Sequence, residues 1–261
     1  MAISFQKIEE KAPQLVQLAK LSRVELSKKE LDGQRAKVVL VLDNSGSMGT
    51  TYRSGAMQRL AEKVLAVATG LDDDGNIDFF VFDTSAAYLG EISLDDYVGA
   101  VDRLRGNRHM GTTDYAGAFY AVRDHFGFAP PVAATPPVKK GLFGGFKKEL
   151  APTVAPAQVG PADVPVFAVF LTDGGPNSKA QAVKALTEVS TAPIFWKFLS
   201  IGREDMAFLQ KLDDLTDRFV DNADYKHLGN VDDLTDKDLF KALLDEYPEW
   251  VKEVRAKGLI R

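Results

Sequence analysis

The apolar residues of this chain fall into short continuous runs separated by stretches of helical spacing. Four runs rich in Val, Ile, Leu and Phe occur at residues 38–42, 77–82, 164–171 and 194–199. Such runs are typical of strands buried on both faces of a parallel sheet. Helical spacing lies between and after them, at residues 56–69, 94–104, 114–126, 178–189 and 206–215, and residues 218–220 form a last strand candidate. The alternation predicts an α/β fold with a doubly wound, mostly parallel central sheet flanked by helices.

Both ends of the chain also have helical spacing. Residues 3–30 carry it with Pro13 as a break or a helix start, and two closing helices are predicted at residues 236–244 and 248–256. Pro248 falls in a first helical turn, where proline is tolerated. We expect an N-terminal helical extension at residues 1–33, a domain at residues 34–232, and C-terminal helices at residues 233–261 packed on that domain.

Residues 127–163 differ in composition from the rest of the chain, with seven prolines among Ala, Val, Gly and Lys. This composition cannot bury a core, so we interpret the segment as an insertion or long loop within the domain. Its portion 139–148 holds two Phe and one Leu among four Lys. A solvated loop is the first interpretation of that portion, and a short adhesive segment for a partner or an anionic surface is the alternative.

Oxygen-bearing side chains cluster where predicted strands end. Three segments supply them: Asp43, Ser45 and Ser47 after the first run, Thr112 and Thr113 before a helix, and Asp173 after the run at 164–171. Ligands of open parallel sheets bind outside the carboxyl ends of the strands. Hard oxygen donors suit Mg²⁺, Ca²⁺ or Mn²⁺. The sequence therefore predicts a divalent cation site whose neutral hydroxyls leave the ion able to take an anionic ligand.

The acidic segment 72–76 is a second place where carboxylates gather. It lacks the alternating ligands and the closing Glu of an EF-hand loop, so we interpret it as an acidic turn.

Charge and composition narrow the classes of partner. The 261 residues carry a formal net charge of -5 and no cysteine. The negative net charge gives no support to nucleic-acid or anionic-membrane binding, because both need a concentrated basic face. Disulfides, thiolate nucleophiles and zinc-thiolate sites are excluded because they need cysteine. No run approaches the roughly 18 apolar residues of a membrane span, and the N-terminus lacks a signal-peptide pattern. We expect a cytoplasmic protein without a membrane span or a nucleic-acid partner, and the sequence leaves its oligomeric state open.

The motif Asp43-x-Ser45-x-Ser47, a downstream threonine and the run Thr172-Asp173-Gly174 resemble the von Willebrand factor A (vWA) domains. In that family three such loops form the metal-ion-dependent adhesion site (MIDAS). The resemblance implies one cation, Mg²⁺ first and Ca²⁺ or Mn²⁺ as alternatives, held by Asp43, Ser45, Ser47, Thr113 and Asp173. The family usually has Gly-Gly-Thr in the middle loop. Here Thr113 takes the threonine place and Thr112 stands at a glycine position.

Among vWA proteins the chain is similar to the TerF-type members encoded with bacterial tellurium-resistance and stress genes. The likeness is carried by residues 71–78, 81–84, 193–198, 219–224 and 246–250. It implies a metal-dependent protein-binding module in a cytoplasmic complex, with an Asp or Glu of a protein partner completing the coordination of the metal.

Five residues beside the expected ligands are candidates for an apolar rim that a partner would contact: Met48, Tyr52, Met110, Tyr115 and Pro176. Packing in the core is the alternative role for each of them. Exposed residues of this kind would bury area against a partner, as interface anchors do.

A Mg²⁺-dependent phosphoryl hydrolase with Asp43 as nucleophile is the alternative function. In haloacid-dehalogenase-like phosphatases a second Asp stands two positions after the first as general acid, and here that position is Ser45. No P-loop motif is present either. We therefore predict a binding module and not an enzyme.

Overall fold

A six-stranded sheet forms the centre of the structure, a computed structural model that describes residues 2–133, 154–157, 160–202 and 206–261. Its strands are β1 (Lys37–Asp43), β2 (Ile77–Phe82), β3 (Ala86–Ile92), β6 (Val166–Thr172), β7 (Ile194–Ile201) and β8 (Ala223–Gly229). Two further short strands, β4 (Val132–Ala133) and β5 (Val154–Ala155), form a separate antiparallel ribbon. The central order is β3-β2-β1-β6-β7-β8, and only the pairing of β2 with β3 is antiparallel among these strands. The mostly parallel sheet expected from the sequence is confirmed.

Helices cover both faces of the sheet. One face carries α1 (Phe5–Lys11), α2 (Val16–Lys28), α4 (Ala56–Leu71), α5 (Ala100–Arg105), α9 (Asp236–Leu243) and α10 (Tyr247–Ala256). The other carries α6 (Tyr115–His125), α7 (Lys179–Val189) and α8 (Ala207–Asp213), while the short α3 (Gly49–Arg53) follows β1. None of the helices in the described ranges is both long and apolar enough to cross a membrane.

The continuous apolar runs follow directly from this layering. Val38, Leu40 and Leu42 of β1 point into one core, and Val39 and Val41 point into the other. Successive side chains of a strand lie on opposite faces, so a strand covered on both sides favours an apolar residue at nearly every position.

The terminal helices pack on the same core as the sheet. Ile8 of α1 and Trp250 of α10 are buried with Leu40 of β1 in one cluster. Trp250 lies with its ring centroid 5.5 Å from that of Phe195 on β7. Pro13 begins a 3₁₀ turn between α1 and α2, consistent with its predicted role as a break or helix start.

The helix predicted at residues 94–104 is wrong over its first half. Only Ala100–Arg105 is helical, and the preceding Ala86–Ile92 is the unpredicted edge strand β3. The backbone N–H and the hydroxyl of Ser93 both donate to Asp96 Oδ1 at 2.9 Å, and Gly99 has a φ of 62°. These local bonds and the left-handed glycine hold a turn where helical spacing alone favoured a helix.

The strand predicted at residues 218–220 is also misplaced, because the last strand is Ala223–Gly229. Arg218 Nε instead donates to the Leu215 carbonyl, and Phe219 N donates to Ser190 Oγ. Charged residues at positions 224 and 226 interrupt the apolar pattern of the true strand. The insertion predicted at residues 127–163 lies mostly outside the described residues, and its portion 139–148 lies wholly outside them.

A buried ion pair joins β7 to β8. Lys197 Nζ donates to Asp224 Oδ2, and the two residues are 1% and 5% exposed. Burial lowers the pKa of Lys197 and raises the pKa of Asp224, while the opposite charge of each partner acts against these shifts. Each charge therefore depends on the other for compensation in this part of the interior.

We expect Asp224→Asn to destabilise the fold by about 3–5 kcal/mol, because it leaves a buried ammonium without a counter-charge. Replacing both partners with Met and Leu should cost much less. Urea unfolding at pH 7 measures both effects. The matched control is Asp163→Asn, which breaks an exposed pair with Arg261 and should change stability by less than about 1 kcal/mol. Equal effects of the buried and exposed substitutions would contradict the prediction.

Asp213, at the end of α8, gives the fold a pH dependence of known sign. Burial, with the charges of Glu246 and Asp224, raises its pKa to about 7. Because the pKa of Asp213 is higher in the folded than in the unfolded chain, the folded chain holds this proton more tightly. The free energy of unfolding therefore falls as the pH rises towards 7. We expect Asp213→Asn to be more stable than wild type by about 1 kcal/mol at pH 8, with a smaller difference at pH 5. Urea unfolding at both pH values tests this, and a larger advantage at pH 5 would contradict it.

Candidate metal site

Three loops meet at the carboxyl edge of the sheet. β1 ends at Asp43 and its parallel neighbour β6 ends at Thr172, with Asp173 next in the chain. The loop before α6 reaches the same edge, where Ser45 and Gly111 form an isolated parallel bridge. The strand order thus brings together the loops that carry the predicted ligands.

Asp43 is fully buried and firmly held. Its Oδ1 accepts from the Ser45 backbone N–H at 2.7 Å, and its Oδ2 accepts from the Thr172 hydroxyl at 2.6 Å. Burial raises the pKa of Asp43 to about 6, the nearby charge of Asp173 adds to the rise, and the two hydrogen bonds oppose it. Carboxylate oxygens have more than one lone pair, so these bonds leave room for a further contact.

A line of oxygen atoms leads from the interior to the surface. The hydroxyl oxygens of Ser45 and Ser47 are 3.1 Å apart, and Ser47 Oγ donates to Asp173 Oδ1 at 2.7 Å. Ser45 is buried, Asp173 is half-buried and Ser47 is exposed. Ser45 has an extended backbone and a 3₁₀ turn begins at Gly46, which brings the two hydroxyls to the same side of the loop.

The structure places the two threonines of the middle loop differently. Thr112 Oγ1 accepts from Asn177 Nδ2 at 2.9 Å and lies 3.2 Å from Thr84 Oγ1, so its hydroxyl is engaged away from Asp43. Thr113 is buried, and its backbone is tied to Asn177 by two hydrogen bonds of 3.2 and 2.8 Å. Asn177 therefore fixes the position of the middle loop against the loop that follows β6.

Sequence analysis missed the side chains that support the first loop. Asn44 is fully buried, its Nδ2 donates to Asp83 Oδ2 at 2.9 Å, and its Oδ1 accepts from Arg105 Nε at 2.6 Å. The Arg105 guanidinium lies 4.3 Å from the ring centroid of Tyr52, whose hydroxyl donates to the Asp43 carbonyl. No short motif signals Arg105, because it lies 61 residues from Asn44 in the chain.

The apolar rim predicted around the site is wrong for three of its five residues. Met48, Tyr52 and Tyr115 are at most 5% exposed and belong to the core. The Tyr115 hydroxyl donates to the Gly174 carbonyl at 2.5 Å, which shows how far it points inwards. Met110 and Pro176 are half-buried and remain candidates. These three large side chains pack in the core beside the strand ends and do not face a partner.

The acidic turn at residues 72–74 is a separate cluster. Carboxylate oxygens of its three aspartates lie within 4.8 Å of one another, a spacing that a metal ion could bridge. Lys37 Nζ, however, lies 3.0–3.2 Å from oxygens of Asp72 and Asp74. An ammonium group therefore already supplies positive charge there, in agreement with the interpretation as a turn.

The chemistry of the donors at the carboxyl edge fits a hard divalent cation. Two carboxylates and three hydroxyls are the predicted ligands, and each offers oxygen to the ion: Asp43, Asp173, Ser45, Ser47 and Thr113. The carboxylates would balance a charge of +2, and the hydroxyls would add ligand atoms without adding charge.

Comparisons with known proteins agree with this architecture. The sequence model of the family described as "vWA found in TerF C terminus" matches residues 35–135 and 146–260. The protein YcbR of Bacillus subtilis is 34% identical over 244 residues, which cover 92% of this chain and 87% of YcbR.

Among solved structures, proximal thread matrix protein 1 (PTMP1) of the mussel byssus, with a zinc-occupied MIDAS motif, is similar with a TM-score of 0.51 and 13% identity. The match covers 82% of this chain and 48% of PTMP1, so the chain spans about half the length of that protein. Manganese-loaded TRAP of Plasmodium vivax has a TM-score of 0.47 and 16% identity, with 82% of this chain and 74% of TRAP covered.

At 13% identity the PTMP1 structure supports the fold alone, whereas the family model and the Bacillus relative cover most of the sequence. The central parallel sheet, the loops at its carboxyl edge and the extent of the family match lead to one conclusion: this chain belongs to the vWA-TerF-like family.

Proposed function

We propose that this chain is a metal-dependent protein-binding module of the bacterial cytoplasm. One divalent cation is held by the proposed ligands Asp43, Ser45, Ser47, Thr113 and Asp173. Mg²⁺ is the first candidate, and Ca²⁺ or Mn²⁺ would accept the same oxygen ligands. An Asp or Glu of a protein partner completes the coordination. The likeness to TerF-type proteins supports a place in a tellurium-resistance or stress-response complex.

The observation that carries the proposal is the chain of contacts from the buried Asp43, through the Ser45 backbone and hydroxyl, to the exposed Ser47 and to Asp173. Its inner end is fixed by hydrogen bonds to the fold, and its outer end reaches solvent. A cation bound along these contacts would be held by ligands on its buried side and could accept a further ligand on its solvent-exposed side. The zinc-occupied MIDAS motif of PTMP1 supports the ability of this fold to hold a divalent ion at such loops.

The position of Asp43 argues against the hydrolase alternative. An attacking carboxylate must bring an oxygen to the phosphorus atom of a phosphoester, a group much bulkier than a metal ion, yet Asp43 is 0% exposed. Ser45 occupies the place of the general acid and is not acidic. Turnover of generic phosphoesters with Mg²⁺, lost in Asp43→Asn, would favour the hydrolase instead.

Metal binding is tested most directly by calorimetric titration of Mg²⁺, Mn²⁺ and Ca²⁺. We expect one ion per wild-type chain, and at least about tenfold weaker binding, or about 1.4 kcal/mol, in Asp173→Asn and Ser47→Ala. Both positions lie at the accessible end of the site, so these variants should remain folded. Asp214→Asn is the matched control, because Asp214 is exposed and outside the site. Equal heats in all four proteins would refute the assigned ligands.

Partner binding should depend on the metal. We expect a tagged chain to capture a protein from bacterial lysate in the presence of Mg²⁺, and to lose it when EDTA is added or when Asp173→Asn is used as bait. Mass spectrometry identifies the captured protein, and replacing its acidic residues locates the one that reaches the metal. Capture that persists undiminished in EDTA would contradict a metal-bridged interaction.

A further inference from the structure

A groove of about 300 Å³ adjoins the candidate metal site at Asp173. It runs between α3, the start of α4 and the ends of β7 and β8. The residues that matter for its chemistry are Thr50, Thr51, Ser54, Gly202, Gly229 and Asn230. Its volume is at the lower end of the range for ligand pockets, so it suits a slender ligand.

The groove has a mixed lining that carries little charge, and Ala56 and Ile201 give it apolar surface beside its polar groups. Hydroxyl groups and one amide line its walls, and Asp173 is its one ionisable side chain among the described residues. A cation at the metal site would offset the charge of Asp173. An acidic ligand that reached the metal from this side would therefore meet little electrostatic repulsion.

Two glycines contribute backbone to the floor of the groove. Gly202 and Gly229 have φ values of 115° and 69°, and Gly202 N donates to the Gly229 carbonyl at 2.8 Å. Side chains rarely adopt these backbone angles, so both positions require glycine. At Gly202 no described atom beyond its chain neighbours lies within 4 Å of the place that a side chain would take, so the main chain of a ligand can approach closely there. At Gly229 the Asp233 carboxylate fills that place.

The other side of the metal site is closed by internal hydrogen bonds. Asn177 Nδ2 donates to Thr112 Oγ1, and the Thr112 and Thr84 hydroxyls are 3.2 Å apart. These polar groups already satisfy one another. A ligand attached to the metal gains less by extending over this loop than by entering the groove.

Two larger cavities elsewhere each have more acidic than basic side chains in their lining. One of about 570 Å³ is lined by Asp221, Asp245, Glu246, Glu249 and Glu253, with Lys29 as its one basic residue. Carboxylates crowded in this way disfavour a ligand of the same charge. Among these cavities, the groove beside Asp173 has the better electrostatic match.

We propose that this groove binds the part of the partner's chain that adjoins the metal-bound acidic residue. This part is an extended, uncharged segment with small side chains. The inference rests on the function proposed above and adds the direction and the character of the partner segment. The Thr50 hydroxyl accepts from Arg53 Nη2 and can still donate to a peptide carbonyl of the segment. The Ser54 hydroxyl donates to the Thr51 carbonyl and keeps an acceptor lone pair, the Thr51 hydroxyl adds a third polar group, and Gly202 sets how closely the segment lies.

The test compares two probes by amide chemical shifts of the ¹⁵N-labelled chain with Mg²⁺. Acetate carries the carboxylate alone, and the peptide acetyl-Gly-Ser-Asp-Ser-Gly-amide carries it within a small, uncharged segment. We expect acetate to shift amides near Ser47 and Asp173, and the peptide to shift those of Thr51, Gly202 and Asn230 as well. The same peptide with Asn in place of Asp should bind at least about tenfold more weakly.

A groove-filling variant, Thr50→Trp, separates the groove from the metal site. Thr50 is exposed, so the substitution should fold. It should weaken the Asp peptide about tenfold and leave acetate and Mg²⁺ binding unchanged. Ala180→Trp is the matched control, since Ala180 is exposed on α7 at the opposite face of the sheet, and it should affect neither probe.

The outcomes distinguish the two proposals. Peptide shifts confined to those of acetate, or extending over Thr84 and Thr112, would overturn the groove and leave the metal-bridged function standing. The same holds if Thr50→Trp binds the peptide as wild type does. Absence of any shift that depends on Mg²⁺, or on the Ca²⁺ or Mn²⁺ that the calorimetric titration shows to bind, with either probe would overturn the proposed function itself.

Discussion

Burial of a carboxylate at the end of the central strand is the constraint on which the functional edge depends. A charged carboxylate costs much free energy in an apolar interior unless hydrogen bonds or a counter-charge compensate it. Asp43 has two such bonds, from the Ser45 backbone and the Thr172 hydroxyl, and it lies near the further negative charge of Asp173. The fold thus concentrates negative charge at a place where it can only partly neutralise it, which is a favourable setting for a cation.

The supporting contacts follow from the need to hold that carboxylate still. Tyr52 bonds to the Asp43 carbonyl, and Arg105 joins the ring of Tyr52 to the amide of Asn44. Arg105 comes from α5, which the chain reaches only after the edge strand β3. The antiparallel edge of the sheet therefore contributes to the site, although none of the proposed ligands lies on it.

Sequence alone was sufficient where one physical requirement controlled each position. The strands β1 and β6 are buried on both faces and give unbroken apolar runs, while β2 and β7 give apolar runs interrupted by Asp78 and by Lys197. β3 and β8 lie at the sheet edges, where exposure and ion pairing admit Glu91, Asp224 and Lys226, and their pattern is correspondingly weak. At the site, the proposed metal ligands could be predicted because their residue types and short spacing form a recognisable motif. Thr172, Asn177 and Arg105 were not singled out for their supporting contacts, because these depend on residues distant in the chain.

The ribbon of β4 and β5 has a consequence for how this chain tolerates change. Val132 pairs with Ala155 and Ala133 with Val154, so the two ends of the intervening segment lie side by side, away from the central sheet. Lengthening a loop whose ends are already joined costs little closure entropy, about 0.6 kcal/mol for each doubling. Because β4 and β5 are paired, chain added between Ala133 and Val154, such as a fluorescent protein or an affinity domain, would cost this ribbon little closure entropy.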